Sequence, residues 1–169
     1  MSLFVSAALL FWIEPMFAKI ILPMLGGMPA VWNTCMAFYQ TVLLLGYIYA
    51  HAATKWLGLR WQVICHLGLL FLVFSTLPVS IIDGWTPPVT SNPIPWVFML
   101  LLLSVGLPFF VVSSTAPLLQ KWFSTTDHPT AKDPYFLYGT SNLGSLVALL
   151  GYPLSWNHFY PLKASLSFG

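Results

Sequence analysis

Glu14 is the residue whose position asks most of this chain. It stands inside an apolar run from Leu3 to Leu25. A carboxylate at membrane depth costs roughly 2.5–3.5 kcal/mol on insertion scales, so it must be protonated, paired or turned toward protein. Lys19 follows five positions later, about 140° round an ideal helix, so the two side chains do not face each other unless Pro15 bends the segment. Two chemistries are open. One is a proton- or cation-linked site at Glu14. The other is an ion pair or hydrogen bond that fixes helix packing, with Lys19 reaching outward to the headgroups. Asn33, Gln40 and Asn142 carry amides inside apolar stretches. They either bond across helices as glue or complete a polar intramembrane site with Glu14 and Lys19.

The remaining chemistry-bearing residues do not combine. His51 and His128 fall on connections, His66 inside a helix and His158 in the C-terminal segment. Ligands at different membrane levels do not share a metal ion, and no metal or other cofactor is expected. Cys35 and Cys65 both lie in helices, where a free thiol behaves as a small apolar packing residue. No nucleophile–base pattern, zinc-binding helix motif, phosphate loop or dinucleotide fingerprint occurs. The chain is not expected to be an enzyme.

The elements that must position these residues follow from the charge pattern. Charged residues are 6% of the chain and apolar ones 58%, whereas soluble domains carry roughly 25% charge. No Asp, Glu, Lys or Arg occurs in Ile20–Thr54, Trp61–Ile82, Gly84–Gln120 or Pro134–Leu162. Each run exceeds the roughly 18 residues that flag a spanning helix. The expected fold is all-α, a polytopic membrane protein of about five transmembrane helices. These run over about 3–25, 30–50, 61–82, 95–123 and 135–153, followed by an interfacial or disordered tail, 154–169. Gly26-Gly27-Met28-Pro29 supplies the first turn, and His51 to Arg60 a short polar connection. A proline-rich loop follows the third helix. Pro108 predicts a kink in the fourth, with Ser104 or a neighbouring helix taking up the freed carbonyl. The first segment lacks a preceding Lys or Arg and a clean small-x-small site, so it reads as a retained helix and not a cleaved leader.

Lys55, Arg60, Lys121 and Lys132 fall on the connections after the second and fourth helices, and the connections after the first and third hold no Lys or Arg. The positive-inside rule therefore puts the N-terminus in the cytoplasm. The basic residues are scattered among aromatics and form no phosphate-binding stripe, so nucleic acid is not an expected partner. Trp56, Trp61, Trp85, Trp96, Trp122 and Tyr135 lie near helix ends and read as interface anchors at the headgroup level. Ser113-Ser114-Thr115 and Ser141 with Gly144-Ser145 offer small surfaces for close helix approach.

Several segments carry a family resemblance. They are Leu25-Gly-Gly-Met-Pro-Ala-Val-Trp-Asn-Thr34 with Phe38-Tyr-Gln40, Gly106-Leu-Pro-Phe-Phe110, Ser113-Ser-Thr-Ala-Pro-Leu-Leu-Gln-Lys-Trp-Phe123, and Asp133-Pro-Tyr-Phe-Leu-Tyr138 followed by Ser141-Asn-Leu-Gly-Ser145. Together, over about Leu3 to Pro153, the chain resembles the N-terminal membrane region of the bacterial fused major-facilitator/spermidine-synthase-like proteins. The resemblance implies a bacterial inner-membrane location and part of a major-facilitator half, roughly one half less its last span. The synthase-like soluble domain of that family has no counterpart here, so no catalytic residue carries over.

Two functional expectations result. The first is a non-catalytic accessory or structural subunit that packs in a larger membrane complex, against the bilayer, other membrane subunits and their lipids or pigments. The second is a transport or polar-ligand-binding module that acts as an oligomer through Glu14, Asn33 and Gln40.

Overall fold

A computed structural model describes residues 1–25, 28–75, 92–126 and 135–159. Its elements are α1 (Ser2–Met24), α2 (Pro29–Trp56), α3 (Leu59–Ser75), α4 (Pro93–Leu101), α5 (Leu107–Ser124) and α6 (Tyr135–Phe159). A π-helical turn, Leu102–Gly106, joins α4 and α5 into one rod. The described chain is all-helical.

Local chemistry sets most helix ends. Pro29 opens α2, where its missing N–H is one of the first-turn donors that have no intrahelical partner anyway. Asn92 caps α4, its side-chain oxygen accepting from the Ile94 N–H at 3.0 Å. α2 runs on to Trp56, so most of the polar connection expected over 51–60 is helical, and the chain breaks only at Leu57–Gly58. His51, Thr54 and Lys55 are polar, but all three tolerate a helix, and nothing before Gly58 ends one. α6 likewise continues through Pro153 to Phe159, so the first six residues of the expected tail are helical. The expected kink at Pro108 takes the form of the π-helical turn just before it. The extra residue in that turn resets the hydrogen-bond ladder ahead of the proline. Ser104 does not supply the expected relief, because its buried hydroxyl has no partner.

The helices pack as a bundle. α1 lies along α6 and α5, and α2 along α5 and α4, while α3 rests mainly on α5. The main core collects Phe17, Ile21, Val31, Phe38, Tyr39, Val97, Leu101 and Phe109. Phe38 meets Phe98 edge-on with ring centres 5.4 Å apart, and Tyr39 meets Phe109 at 4.9 Å. A second, smaller cluster of Ala50, Ala53 and Leu118 holds the other end, with Leu57 and Trp122 against it. Lys55, Arg60 and Lys121 consequently sit near that one end of the bundle, at the C-termini of α2 and α5 and the start of α3.

Two stretches, Ser2–Pro23 and Pro93–Ser124, are long and apolar enough to cross a bilayer, and the described part of α3 is a shorter apolar helix. Small residues bring the helices together. A Cβ added at Gly144 would strike the Phe4 backbone of α1, and one at Gly46 the Ser113 side chain of α5. Ser113 and Ser114 are fully buried and return their hydroxyls to Phe110 and Val111 carbonyls of their own helix, so they pack without an unmet proton. The small-residue surfaces on both α5 and α6 therefore lie at helix crossings.

Gly144→Ala and Gly46→Ala are each expected to destabilise by about 1–3 kcal/mol, because backbone or buried side chain must move. Gly68→Ala, with open space at the same atom, is expected to be neutral or stabilising. Thermal unfolding of the three variants in one detergent separates the sites.

Candidate functional site

α3 buries two residues, and both are polar: Gln62 and His66. They stand one turn apart on the face toward α5. The Gln62 amide nitrogen donates to the Leu57 carbonyl at 2.7 Å, at the break between α2 and α3. Its oxygen accepts from Trp122 Nε1 at 2.9 Å. One side chain thus closes the α2–α3 corner and ties it to the end of α5.

His66 is 3% exposed, and its Nε2 lies 3.1 Å from Thr115 Oγ1. The Thr115 hydroxyl already donates to the Val111 carbonyl at 2.7 Å. Its oxygen must therefore accept from His66, which assigns the ring proton to Nε2. Nδ1 is left as a buried acceptor without a partner, and the buried Tyr49 hydroxyl is likewise unpartnered. The Tyr49 ring stacks on His66 at 6.5 Å, and Trp122 meets the imidazole edge-on at 6.1 Å. The cluster holds no nucleophile and no second metal ligand. Among the described residues no group of three His, Cys, Asp or Glu side chains could hold a metal ion. What this arrangement does is dock α3.

A different site surrounds Glu14. A cleft of about 190 Å³ lies between α1, α2 and α6, lined by Phe11, Glu14, Pro15, Trp32, Tyr39 and Leu149 among others. Tyr39 is 1% exposed and its buried hydroxyl has no partner. Glu14 is half-buried, and among the described residues nothing pairs with its carboxylate. Lys19 is exposed, and its ammonium lies 5.0 Å from the centre of the Tyr152 ring, outside the cleft lining. The Tyr152 hydroxyl donates to the Pro15 carbonyl at 3.2 Å. A larger hollow of about 380 Å³ at the basic end, between α1, α5 and α6, is lined by Leu3, Leu119, Phe123 and Phe136 among others, with no charged side chain.

The five residues expected to form one polar site are not brought together. Asn33 and Gln40 lie exposed on the outside of α2, and Asn142 on the outside of α6. The reason is steric. α2 turns Val31, Cys35, Phe38, Tyr39 and Val42 into the core, so the amides between them must point away. The aromatic residues divide similarly. Trp56, Trp61 and Tyr135 are exposed at helix ends, whereas Trp96 packs against the core and Trp122 belongs to the Gln62–His66 cluster. Trp85 lies outside the described residues. The Gln62–His66 cluster escaped sequence reasoning, although its signal was present: two polar residues one turn apart on a helix that is otherwise apolar between Arg60 and Ser75. No protein family, no curated protein and no solved structure matches this chain.

Gln62→Leu and Trp122→Phe, alone and combined, are expected to show a coupling of about 0.6–1.7 kcal/mol, the range of interhelical hydrogen bonds in membranes. Additive losses in unfolding free energy would mean the contact contributes nothing.

Proposed function

We propose that this chain is a multi-pass protein of the bacterial inner membrane with five spans, serving as an accessory or structural subunit within a larger membrane assembly. The membrane setting is supported by α3, which buries Gln62 and His66 and turns Trp61, Ile64, Leu67, Phe71 and Phe74 outward. In water the hydrophobic effect would turn such a helix the other way. Hydrocarbon permits it, since an apolar side chain gains little by leaving lipid while a polar one gains a partner. The gathering of Lys55, Arg60 and Lys121 near one end supports a cytoplasmic location for that end and, with it, for the N-terminus. The sequence resemblance to the membrane region of the fused major-facilitator/spermidine-synthase-like proteins points the same way.

The observation that carries the subunit role is the outer face of α2. Asn33, Ala37, Gln40, Leu44, Tyr47 and His51 recur at alternating steps of four and three, and all six are exposed. That spacing is the seam of a helix pair. Amides facing lipid are costly, and a facing transmembrane helix with small or amide residues opposite Gln40 satisfies them. Transport by alternation between two repeats finds less support, because the amides that would have lined a path with Glu14 point away from it. The Glu14 cleft itself favours the second reading, a ligand-binding module, in a narrower form without Asn33 and Gln40.

Membranes solubilised in mild detergent and run on a native gel are expected to release this chain within a complex much larger than its own 18.9 kDa. A cysteine at Ala37 should cross-link to the partner, and Gln40→Leu should reduce the co-migrating fraction several-fold. Migration as a free monomer at every detergent concentration removes the subunit role.

A further inference from the structure

We propose that the Glu14 cleft is a binding site for a small, soluble alkylammonium cation. The lining combines one carboxylate with aromatic walls: Phe11 from α1, and Trp32 and Tyr39 from α2. A ring face attracts a cation through its quadrupole, and the attraction strengthens as the site dries. Pro15 adds to this. It has no N–H to offer the Phe11 carbonyl one turn earlier, and both residues line the cleft. The lining residues therefore supply a negative charge, a helix carbonyl without its usual donor, and aromatic rings.

No cation lines this cleft among the described residues. Among the described residues nothing pairs with Glu14, and the nearby Lys19 is engaged over the Tyr152 ring on α6. A carboxylate in apolar surroundings takes up a proton or finds a positive partner. The kind of partner follows from the walls. Hard metal ions want about six oxygens, and the lining residues carry one carboxylate, one phenol and one helix carbonyl without its usual donor among hydrocarbon and rings. An alkylammonium ion matches both halves of the lining at once, its charge against Glu14 and its methyl or methylene groups against Trp32 and Leu149. The volume, about 190 Å³, is below the roughly 300–1,000 Å³ of drug-sized pockets, which limits the ligand to a few heavy atoms. Trp32 is 42% exposed and Phe11 38%, so the cleft opens at the protein surface. The site stands whether or not the chain works as a subunit.

The test is calorimetric titration of the purified protein in maltoside micelles with choline, and with 3,3-dimethylbutan-1-ol as its uncharged isostere. Saturable heat is expected with choline alone, unaffected by an equal concentration of potassium. Glu14→Gln and Trp32→Ala are each expected to weaken binding about tenfold or more, with Trp32→Phe in between. Trp32→Ala alters only a part-exposed wall and keeps the test decisive if Glu14→Gln unfolds, as circular dichroism would reveal. Absence of saturable choline heat, equal binding of the isostere, or unchanged affinity in both variants overturns the proposal. Binding of dodecylphosphocholine without binding of free choline also overturns it, by assigning the cleft to a lipid headgroup.

Discussion

The structure depends on where polar side chains find partners when the surroundings offer none. Gln62 meets this constraint with two bonds, donating to the Leu57 carbonyl and accepting from the Trp122 indole. His66 meets half of it, through Thr115. These contacts set the rotation of α3 about its own axis. Apolar burial cannot do so, because the helix is hydrophobic on every other face. A helix held by one amide and one imidazole has only one orientation in which its hydrogen bonds close. A helix held by leucines against other leucines has many.

Close backbone approach performs the same task elsewhere without polar groups. α1 and α6 meet at Gly144 against Phe4, and α2 and α5 at Gly46 against Ser113. Dispersion falls steeply with separation, so helices that touch backbone to backbone gain contact along their whole crossing. The serines at the second crossing are harmless because each hydroxyl is spent on its own helix. The bundle thus uses two devices: hydrogen bonds for the peripheral helix, and small-residue contacts for the central ones. The aromatic core of Phe38, Tyr39 and Phe109 fills the space at the opposite end from the basic residues.

How much of this was legible in the sequence differs by feature. Charge-free runs marked the chain as largely apolar, and Pro29 and the small residues of α5 and α6 announced a start and two contacts, because those signals are local. The end of α2 was misplaced since polar residues from His51 to Lys55 resemble a loop by composition, although none of them breaks a helix. The π-helical turn before Pro108 left no trace, because accommodation by an inserted residue and by a side-chain hydroxyl look alike in sequence. The direction in which each polar residue points was the least legible property. In a uniformly apolar helix the hydrophobic pattern carries no phase, so the convergence of Glu14, Asn33, Gln40 and Asn142 was an assumption of common purpose, which side-chain geometry alone decides.

That geometry sorts the polar groups of the helices into two kinds. Gln62 accepts from Trp122, and Thr115 accepts from His66 while donating to the Val111 carbonyl, all inside the bundle. Asn33 and Gln40 face away from it at the spacing of a helix seam, on the helix that also carries the Tyr39 wall of the Glu14 cleft. In the proposed membrane setting, a chain folded for its own sake would place leucine at those two positions. An amide is worth keeping on an outer face only where something meets it. In the proposed assembly, α2 is the element that would meet a partner helix. Its inner face, fixed by Phe38 and Tyr39 against the core, is what holds that outer seam straight.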